Sequence, residues 1–565
     1  MTIAEMPKNI EKELIEYSPL VRRLLFNRGI LTKKEAEEFL NPSYEDHIHD
    51  PFLMLNLEKA VDRIYEAIKN DERICIYSDY DCDGIPGSVI WNDLFEKINY
   101  KNFSIYIPDR HKEGYGLNMS AISEIAKDGN KILITLDLGI TAVEEVEYAK
   151  KLGLETIITD HHLPQEKIPD TLVVNPKQAD DKYPDDMLCG SGVAFKIICG
   201  FLKKYGEEFG VKAGWEKWLL DMVGLATLAD VVPLRKENRA LAYFGLRVLR
   251  KTRRPGLLKL FSKMRIDPKN LQEEDVTFSI CPKLNAASRM DTPKRALELL
   301  ISKEDLAESS AKHLIQINDE RKLLVAHIMK SVKKTFSHEE RVDKSVIVVG
   351  DPAWRVGVLG IVATKIVEEY KKPAFVWGLE GGETIKGSCR SDGSINMVEI
   401  MTQIKTGTFL EFGGHAGAGG FSVGHEEIHF LEERLNEAYE KIEKKEISQS
   451  VYEIDSELNL SDVNEKTFLE IERLAPFGEA NVKPVFIFKD VSIGAIKLFG
   501  KTKEHLELTL EDDEGKSKAI SFFKKPEDFL EGLKEGMRIK LVATIEKSVF
   551  GFKKEIRLRI VDIKK

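Results

Sequence analysis

Tyr77-Ser78-Asp79-Tyr80-Asp81-Cys82-Asp83-Gly84 is the stretch on which the reading of this chain turns. It continues Arg73-Ile74-Cys75-Ile76-Tyr77, an apolar run short enough for a buried strand. Gly84 to Gly87 then break the strand, and residues 89–98 read as a helix. In open α/β sheets, ligands bind at the carboxyl ends of the strands, which is where Asp79, Asp81 and Asp83 fall. Alternate residues of an extended segment share a face, so the three carboxylates are expected to converge on one point. Crowded carboxylates repel one another unless cations sit between them. Hard divalent ions such as Mg²⁺ and Mn²⁺ prefer such oxygen ligands.

The pattern recurs twice downstream. Lys131-Ile132-Leu133-Ile134-Thr135-Leu136 reads as a strand ending in Asp137, and Glu155-Thr156-Ile157-Ile158-Thr159 as another ending in Asp160-His161-His162. Three strands that carry carboxylates or imidazoles at the same end describe a metal centre. The mixed donors favour two transition-type or Mg²⁺/Mn²⁺ ions over a calcium site.

Around this core, strands and helices alternate to about residue 200, which implies a parallel, doubly wound sheet. Residues 1–50 are helical and polar, anchored by Leu24-Leu25-Phe26 and Phe39-Leu40. Residues 235–340 carry little strand signal, and 305–332 read as a long helix, charged on one face, that connects two lobes. A linker follows near His338-Glu339-Glu340. A second α/β unit starts at Ser345-Val346-Ile347-Val348-Val349-Gly350. It contains Lys386-Gly387-Ser388-Cys389-Arg390-Ser391 and Gly413-Gly414-His415-Ala416-Gly417-Ala418-Gly419-Gly420. The glycine run is expected to let the backbone come close to a ligand and turn N–H groups toward phosphate oxygens, with Arg390 adding a planar fork. A polar linker reaches about Ser450. Five short strands then follow (486–488, 505–510, 518–523, 538–543, 557–561), a pattern that suits an OB-fold barrel.

The formal net charge of −10 excludes a protein coated in basic charge, but local patches decide nucleic-acid binding. Residues 489–565 hold 18 Lys and Arg against 14 Asp and Glu, interleaved with Phe499, Phe522, Phe523, Phe550 and Phe552. Cations beside rings are how such barrels hold single strands. The six cysteines form no CxxC pair and read as reduced thiols. With no apolar run of 18 residues and no signal peptide, a cytoplasmic protein without a membrane span is expected.

Asp160-His161-His162 is the signature of the DHH phosphoesterases, and the whole series resembles the RecJ family of single-strand-specific exonucleases. Further matching stretches are Ile107-Pro108-Asp109-Arg110, Glu113-Gly114-Tyr115-Gly116-Leu117, Val174-Asn175-Pro176-Lys177, Gly190-Ser191-Gly192-Val193-Ala194-Phe195-Lys196, Leu228-Ala229-Asp230-Val231-Val232-Pro233-Leu234 and Asn285-Ala286-Ala287-Ser288-Arg289. The resemblance implies an N-terminal helical segment (1–50), a DHH catalytic domain with a parallel sheet (51–235), and a helical region with the connecting helix (236–340). It further implies a DHH-associated nucleic-acid-binding domain (341–447) and a linker with an OB-fold barrel (448–565).

The implied activity is hydrolysis of single-stranded DNA from the 5′ end to nucleoside 5′-monophosphates, with two Mn²⁺ or Mg²⁺ ions, in recombination and repair. By resemblance Asp137 bridges the ions, Asp81 and Asp83 are divided between them, and His161, Asp230 and Asp79 complete the ligands. His162 keeps two readings, a ligand or an acid toward the leaving oxygen. Arg110, Tyr115, Asn285, Arg289, Arg355, Ser388, Arg390, Ser391, Gly413, Gly414 and His415 are the implied nucleic-acid contacts. The implied state is a monomer, partnered by single-stranded DNA and by a helicase or single-strand-binding protein.

Tyr77 departs from the family, standing where some members carry a His ligand. Lys283, Ser288 and Arg355 replace the usual Arg, Gly and His. Two other readings compete: a phosphodiesterase acting on short RNA or cyclic dinucleotides, and a non-catalytic DNA-binding relative. Truncation after residue 484 is expected to leave an active two-lobe core, since no implied ligand lies beyond it.

Overall fold

β1 (Ile74–Ser78), β2 (Phe103–Tyr106), β3 (Ile132–Leu136), β4 (Glu155–Thr159) and β5 (Leu172–Val174) form the first sheet of the computed structural model. All pairings are parallel, in the order β2-β1-β3-β4-β5. β1 and β3 bury every residue, as a parallel sheet covered on both faces must. On one face Cys75, Tyr77, Leu133 and Ile158 pack under helices Met119–Lys127 and Val143–Lys151. Helices Gly84–Lys97 and Gly190–Tyr205 pack against each other and onto β1 and β3. The structure describes residues 5–336, 344–379, 384–445, 453–500, 502–550 and 553–565. The linkers read near His338-Glu339-Glu340 and up to Ser450, Phe552, and the side chain of Phe550 lie outside them.

The first helix after β1 begins at Gly84 itself, so the glycines do not form a connecting break, as the sequence suggested. A Cβ at Gly84 would collide with the Asp79 carbonyl oxygen. The residue is glycine because the helix start lies against the end of the strand.

The chain divides into two units. The larger comprises Pro51–Asp230 and Arg247–Gln449 and holds both α/β lobes. Within it runs helix Glu304–Phe336, 33 residues long. It packs on helices Pro255–Met264 and Cys281–Met290 on the first-lobe side and on Val356–Tyr370 on the other. Val325, Ile328, Met329 and Val332 share a core with Val358 and Val362.

The second sheet comprises β6 (Ile347–Gly350), β7 (Ala374–Gly378), β8 (Ile385–Arg390), β9 (Phe409–His415) and β10 (Ala418–Val423), in the order β6-β7-β8-β10-β9. The glycine run is ordered as paired strands. It is the β9–β10 hairpin, with Gly413 opposite Gly420, Gly414 opposite Gly419 and His415 opposite Ala418. A Cβ on Gly414 would run into the Ala418 carbonyl, so that glycine serves close strand pairing, whereas a Cβ on Gly413 would meet nothing. β9 forms the sheet edge and is exposed along its length, which leaves a row of backbone groups open.

The smaller unit comprises Met1–Asp50, Val231–Leu246 and Ser450–Lys565. Its strands are β11 (Ser456–Glu457), β12 (Phe486–Phe499), β13 (His505–Glu511), β14 (Lys516–Ser521), β15 (Arg538–Phe550) and β16 (Lys553–Lys564). The order β12-β13-β14-β16-β15 closes through β12–β15 into a five-stranded barrel, with β11 added parallel to β12. The N-terminal helices belong to this barrel's core. Leu14, Val21, Leu24, Leu25 and Phe39 sit in one apolar cluster with Leu474, Phe477, Phe488 and Leu541. Buried Arg239 fastens the junction. It stacks 3.5 Å from the Phe39 ring centre and donates to the carbonyls of Phe39 and Ala475.

Candidate metal centre

The backbone ladder of the first sheet runs one residue past the strands. Asp79 N–H donates to Leu136 O, Asp137 N–H to Thr159 O, and Asp160 N–H to Val174 O. Three carboxylates at successive strand ends are thus brought into register. Asp137 holds φ +64°, a left-handed conformation that costs a non-glycine residue and clusters at functional sites.

The three acids of the opening stretch do not converge on one point. The chain leaves the extended form at Ser78, and the acids separate. Asp79 and Asp81 gather with Asp137, whereas Asp83 gathers with His161 and Asp230; a third set joins Asp137 to His161 and His162. Asp137 and His161 are each common to two sets. His161 Nε2 stands 3.1 Å from Asp137 Oδ1, 3.7 Å from Asp230 and 3.8 Å from Asp83. Asp137 and His161 are 3% and 7% exposed. Asp79 Oδ1, Asp137 Oδ1 and His161 Nδ1 are shut off from solvent with no hydrogen-bond partner. Orphaned acceptors and an imidazole at this depth fit divalent cations.

Asp83 is fixed by the amino end of helix Gly190–Tyr205. Its carboxylate accepts from Gly190 N–H at 2.6 Å and Ser191 N–H at 2.7 Å. Asp81 accepts from the N–H groups of Asp83 and Gly84. Asp160 takes no part in the three sets. One oxygen accepts from His161 N–H, His162 N–H and the His162 ring Nδ1 at 2.7 Å, and the other from Ile140 N–H. Its hydrogen bonds make it the holder of His162. Tyr77 points elsewhere: its hydroxyl donates to Gly116 O and accepts from Asn118, and its ring stacks on Tyr106.

Without cations the cluster is under electrostatic strain. Burial, then the neighbouring carboxylates, raises Asp79, Asp81 and Asp137 above the carboxylate range and pushes Asp230 up to about 8. Burial also lowers His161. For His162 burial works against the charged ring, but the Asp160 hydrogen bond prevails and its pKa lies above the ordinary value.

A cationic and aromatic wall adjoins the centre. The His162 ring meets Tyr115 edge-on at 6.4 Å, Tyr115 meets Tyr80 at 6.4 Å, and Arg110 lies 5.0 Å over Tyr80. The loop that carries Arg110 and Tyr115 is built on Glu113, which accepts from Tyr106, Asn118 and Asp109 N–H. Burial, then the charges of Arg110, Arg321 and Arg390, pushes Arg289 down to about 10. Arg289 donates to Gly357 O and Arg355 to Met290 O. Arg390 and Ser388 both face Gly360, where a Cβ would stand 2.9 Å from Arg390 Nη2. Asn285 keeps a buried, unpartnered Oδ1. Ser391 is not brought to this wall as a free hydroxyl; it donates to Ile395 O and accepts from Gly393 N–H. Gly413, Gly414 and His415 lie on β9. Arg321, on the long helix, escaped the sequence reading because nothing local distinguishes it from a solvated helical cation.

Three domain families match the chain in order: the DHH family N-terminal domain over residues 73–227, the DHHA1 domain over 343–446 and the RecJ OB domain over 454–562. The single-stranded-DNA-specific exonuclease RecJ of Bacillus subtilis (strain 168) is 35% identical over 553 residues, which is 97% of this chain and 68% of that protein. The same-named protein of Haemophilus influenzae is 31% identical and covers 88% of each chain. Among solved structures, RecJ of Thermus thermophilus in complex with Mn²⁺ shares the fold at a TM-score of 0.80 and 24% identity. That match covers 99% of this chain and 77% of that one. An exonuclease RecJ bound to manganese matches at 0.61 and 29% identity over 69% of this chain and 95% of that one. Sequence and fold agree along nearly the whole length: the chain belongs to the RecJ family of single-stranded-DNA-specific exonucleases.

Proposed function

We propose that this protein hydrolyses single-stranded DNA from the 5′ end to nucleoside 5′-monophosphates, using two divalent ions, Mn²⁺ or Mg²⁺. The observation that carries the reading is the pair of donor sets joined by Asp137 and His161, with buried acceptors that lack partners. Asp79 and Asp81 would hold one ion, Asp83, His161 and Asp230 the other, and Asp137 both. When bound, such ions supply positive charge to the phosphoryl oxygens and lower the pKa of water. The chain's own residues do the rest. The amino end of helix Gly190–Tyr205 fixes Asp83, and Asp160 fixes His162 with Nδ1 protonated. His162 Nε2 is then left free to ligate or to exchange a proton with the leaving oxygen.

Arg110, Arg289 and Arg390 offer guanidinium forks to the strand's phosphates, and the exposed Tyr115 ring offers a stacking face. The barrel supports single-strand binding in the same way. Rings Phe499, His505, Phe522 and Phe523 gather on it, with Arg559 4.2 Å over Phe522. We place the protein in the cytoplasm as a monomer acting in recombination and repair, beside a helicase or single-strand-binding protein. No described helix is long and apolar enough to cross a membrane. The deciding experiment is a gel with 5′- and 3′-labelled single strands, duplex, RNA and a dinucleotide, in Mn²⁺ or EDTA. Mononucleotide release from the 5′ label of single-stranded DNA, abolished by EDTA, is expected. Preference for the dinucleotide would favour the short-RNA reading instead.

A further inference from the structure

Two helices of the larger unit leave an open groove. Its walls are Glu304–Phe336 and Val356–Tyr370, and it encloses about 540 Å³, within the range of small-ligand sites. Its floor is apolar, made by Val325, Met329 and Ile361. Its rim carries Arg321, Lys322 and Lys365 against the exposed carboxylate of Glu368, while Lys333 is taken up by Glu369 at 2.8 Å. Lys365 makes no ion pair among the described residues, and Lys322 reaches Asp319 only at 3.8 Å. Arg321 is the least ordinary member. It is half-buried, and its Nε is shut off from solvent without a hydrogen-bond partner. A buried cationic donor is costly until an acceptor completes it. Helix Cys281–Met290, which carries Arg289, packs on both helices of the groove, so the groove adjoins the cationic wall beside the metal centre.

An anion suits the rim and a flat apolar body suits the floor. Next to a cleft read as taking a polynucleotide, that combination is a phosphate with its base. We propose that the groove holds one nucleotide, with its phosphate on Arg321 and Lys365 and its base on the floor. The choice of ligand rests on the exonuclease reading. Two sources share this chemistry, a nucleotide of the bound strand and a free deoxynucleoside 5′-monophosphate.

The test uses the full chain in EDTA, so that the metal centre retains no phosphate. Calorimetry compares dAMP with a 12-nucleotide single strand on wild type, Lys365→Glu, Arg321→Gln and Asp137→Asn. Lys365 is exposed, so its replacement does not threaten folding. A fall of tenfold or more in dAMP affinity in both groove variants, with Asp137→Asn unchanged, supports the free nucleotide as source. A fall confined to the strand, with its salt slope reduced by about one, supports a strand nucleotide. Unchanged affinity for both ligands in both groove variants overturns the inference. Wild-type hydrolysis of the labelled strand in Mn²⁺ is measured alongside. Cutting without groove dependence removes only the groove, whereas wild type that does not cut removes the exonuclease reading.

Discussion

Asp160 spends its oxygens on three N–H groups of its own turn and on Ile140, so it acts through His162. Asp160→Asn should lower hydrolysis by about 10- to 100-fold, the usual effect of a group that orients a ligand. Strand affinity in EDTA should be unchanged, and the limb of the rate profile that His162 sets, acid if it ligates and alkaline if it donates a proton, should move to lower pH as the ring loses its partner. An unmoved profile would make Asp160 merely structural. Gly190 is as exacting: a Cβ there would stand 2.5 Å from Asp137 Cβ. Gly190→Ala should therefore displace Asp137 and cost on the order of a hundredfold in rate, with the melting temperature little changed. The raised carboxylates give a third expectation. Their folded pKa values lie above the unfolded value of about 4, up to about 8 for Asp230. The native metal-free protein therefore binds more protons than the unfolded chain between those limits, and its stability falls as pH rises through them. The melting temperature in EDTA should drop from pH 6 to pH 8, and Mn²⁺ should reverse the drop. Asp79 and Asp137 were legible because each directly follows an apolar strand, whereas Asp230, which caps an apolar helix, was reached only through the family resemblance. The tasks of Asp160 and Gly190 were not, since they depend on backbone groups that only the fold brings near.

The β9–β10 hairpin corrects a reading made from composition. Glycine density signals close backbone approach, but sequence does not say whether the approaching partner is a ligand or a neighbouring strand; at Gly414 it is a strand, while Gly413 and His415 stay exposed on the sheet edge. On the proposed function, Arg390 would add a side-chain contact to phosphate in this lobe. Arg390→Ala should weaken single-strand binding tenfold or more while leaving Mn²⁺ titration unchanged; the reverse pattern would end the division of labour between lobes. On the barrel, Phe523 is 78% exposed and held at φ +56°, an aromatic ring presented by a strained backbone. Stacking contributes roughly 1–3 kcal/mol per base, and 1.4 kcal/mol is one decade of affinity. Phe523→Ala should weaken long-strand binding about tenfold and leave dinucleotide hydrolysis unaffected; equal affinities would make the ring a packing feature.

At the scale of the whole molecule, the barrel cannot be cut away as the sequence suggested. Its core includes Leu14, Val21, Leu24, Leu25 and Phe39 in one cluster with Phe486, Phe488, Leu508 and Leu541, all of which lie beyond residue 484. Truncation after residue 484 should strip the partners from that face and give an aggregating product, measurable by light scattering, so barrel function is better probed by point substitution. The apolar anchors near residues 24–26 and 39–40 were visible as a buried face, but a sequence names no partner for a face.

That shared core also sets a timetable. Ser18 bonds Glu470 across 452 residues of chain, and the barrel strands that cover the first helices are made later still. At about 5–20 residues per second, the first helices wait roughly 20–90 s during synthesis for their partners. Until then Leu14, Val21, Leu24 and Leu25 stay open to the surroundings, and the nascent chain depends on whatever shields them.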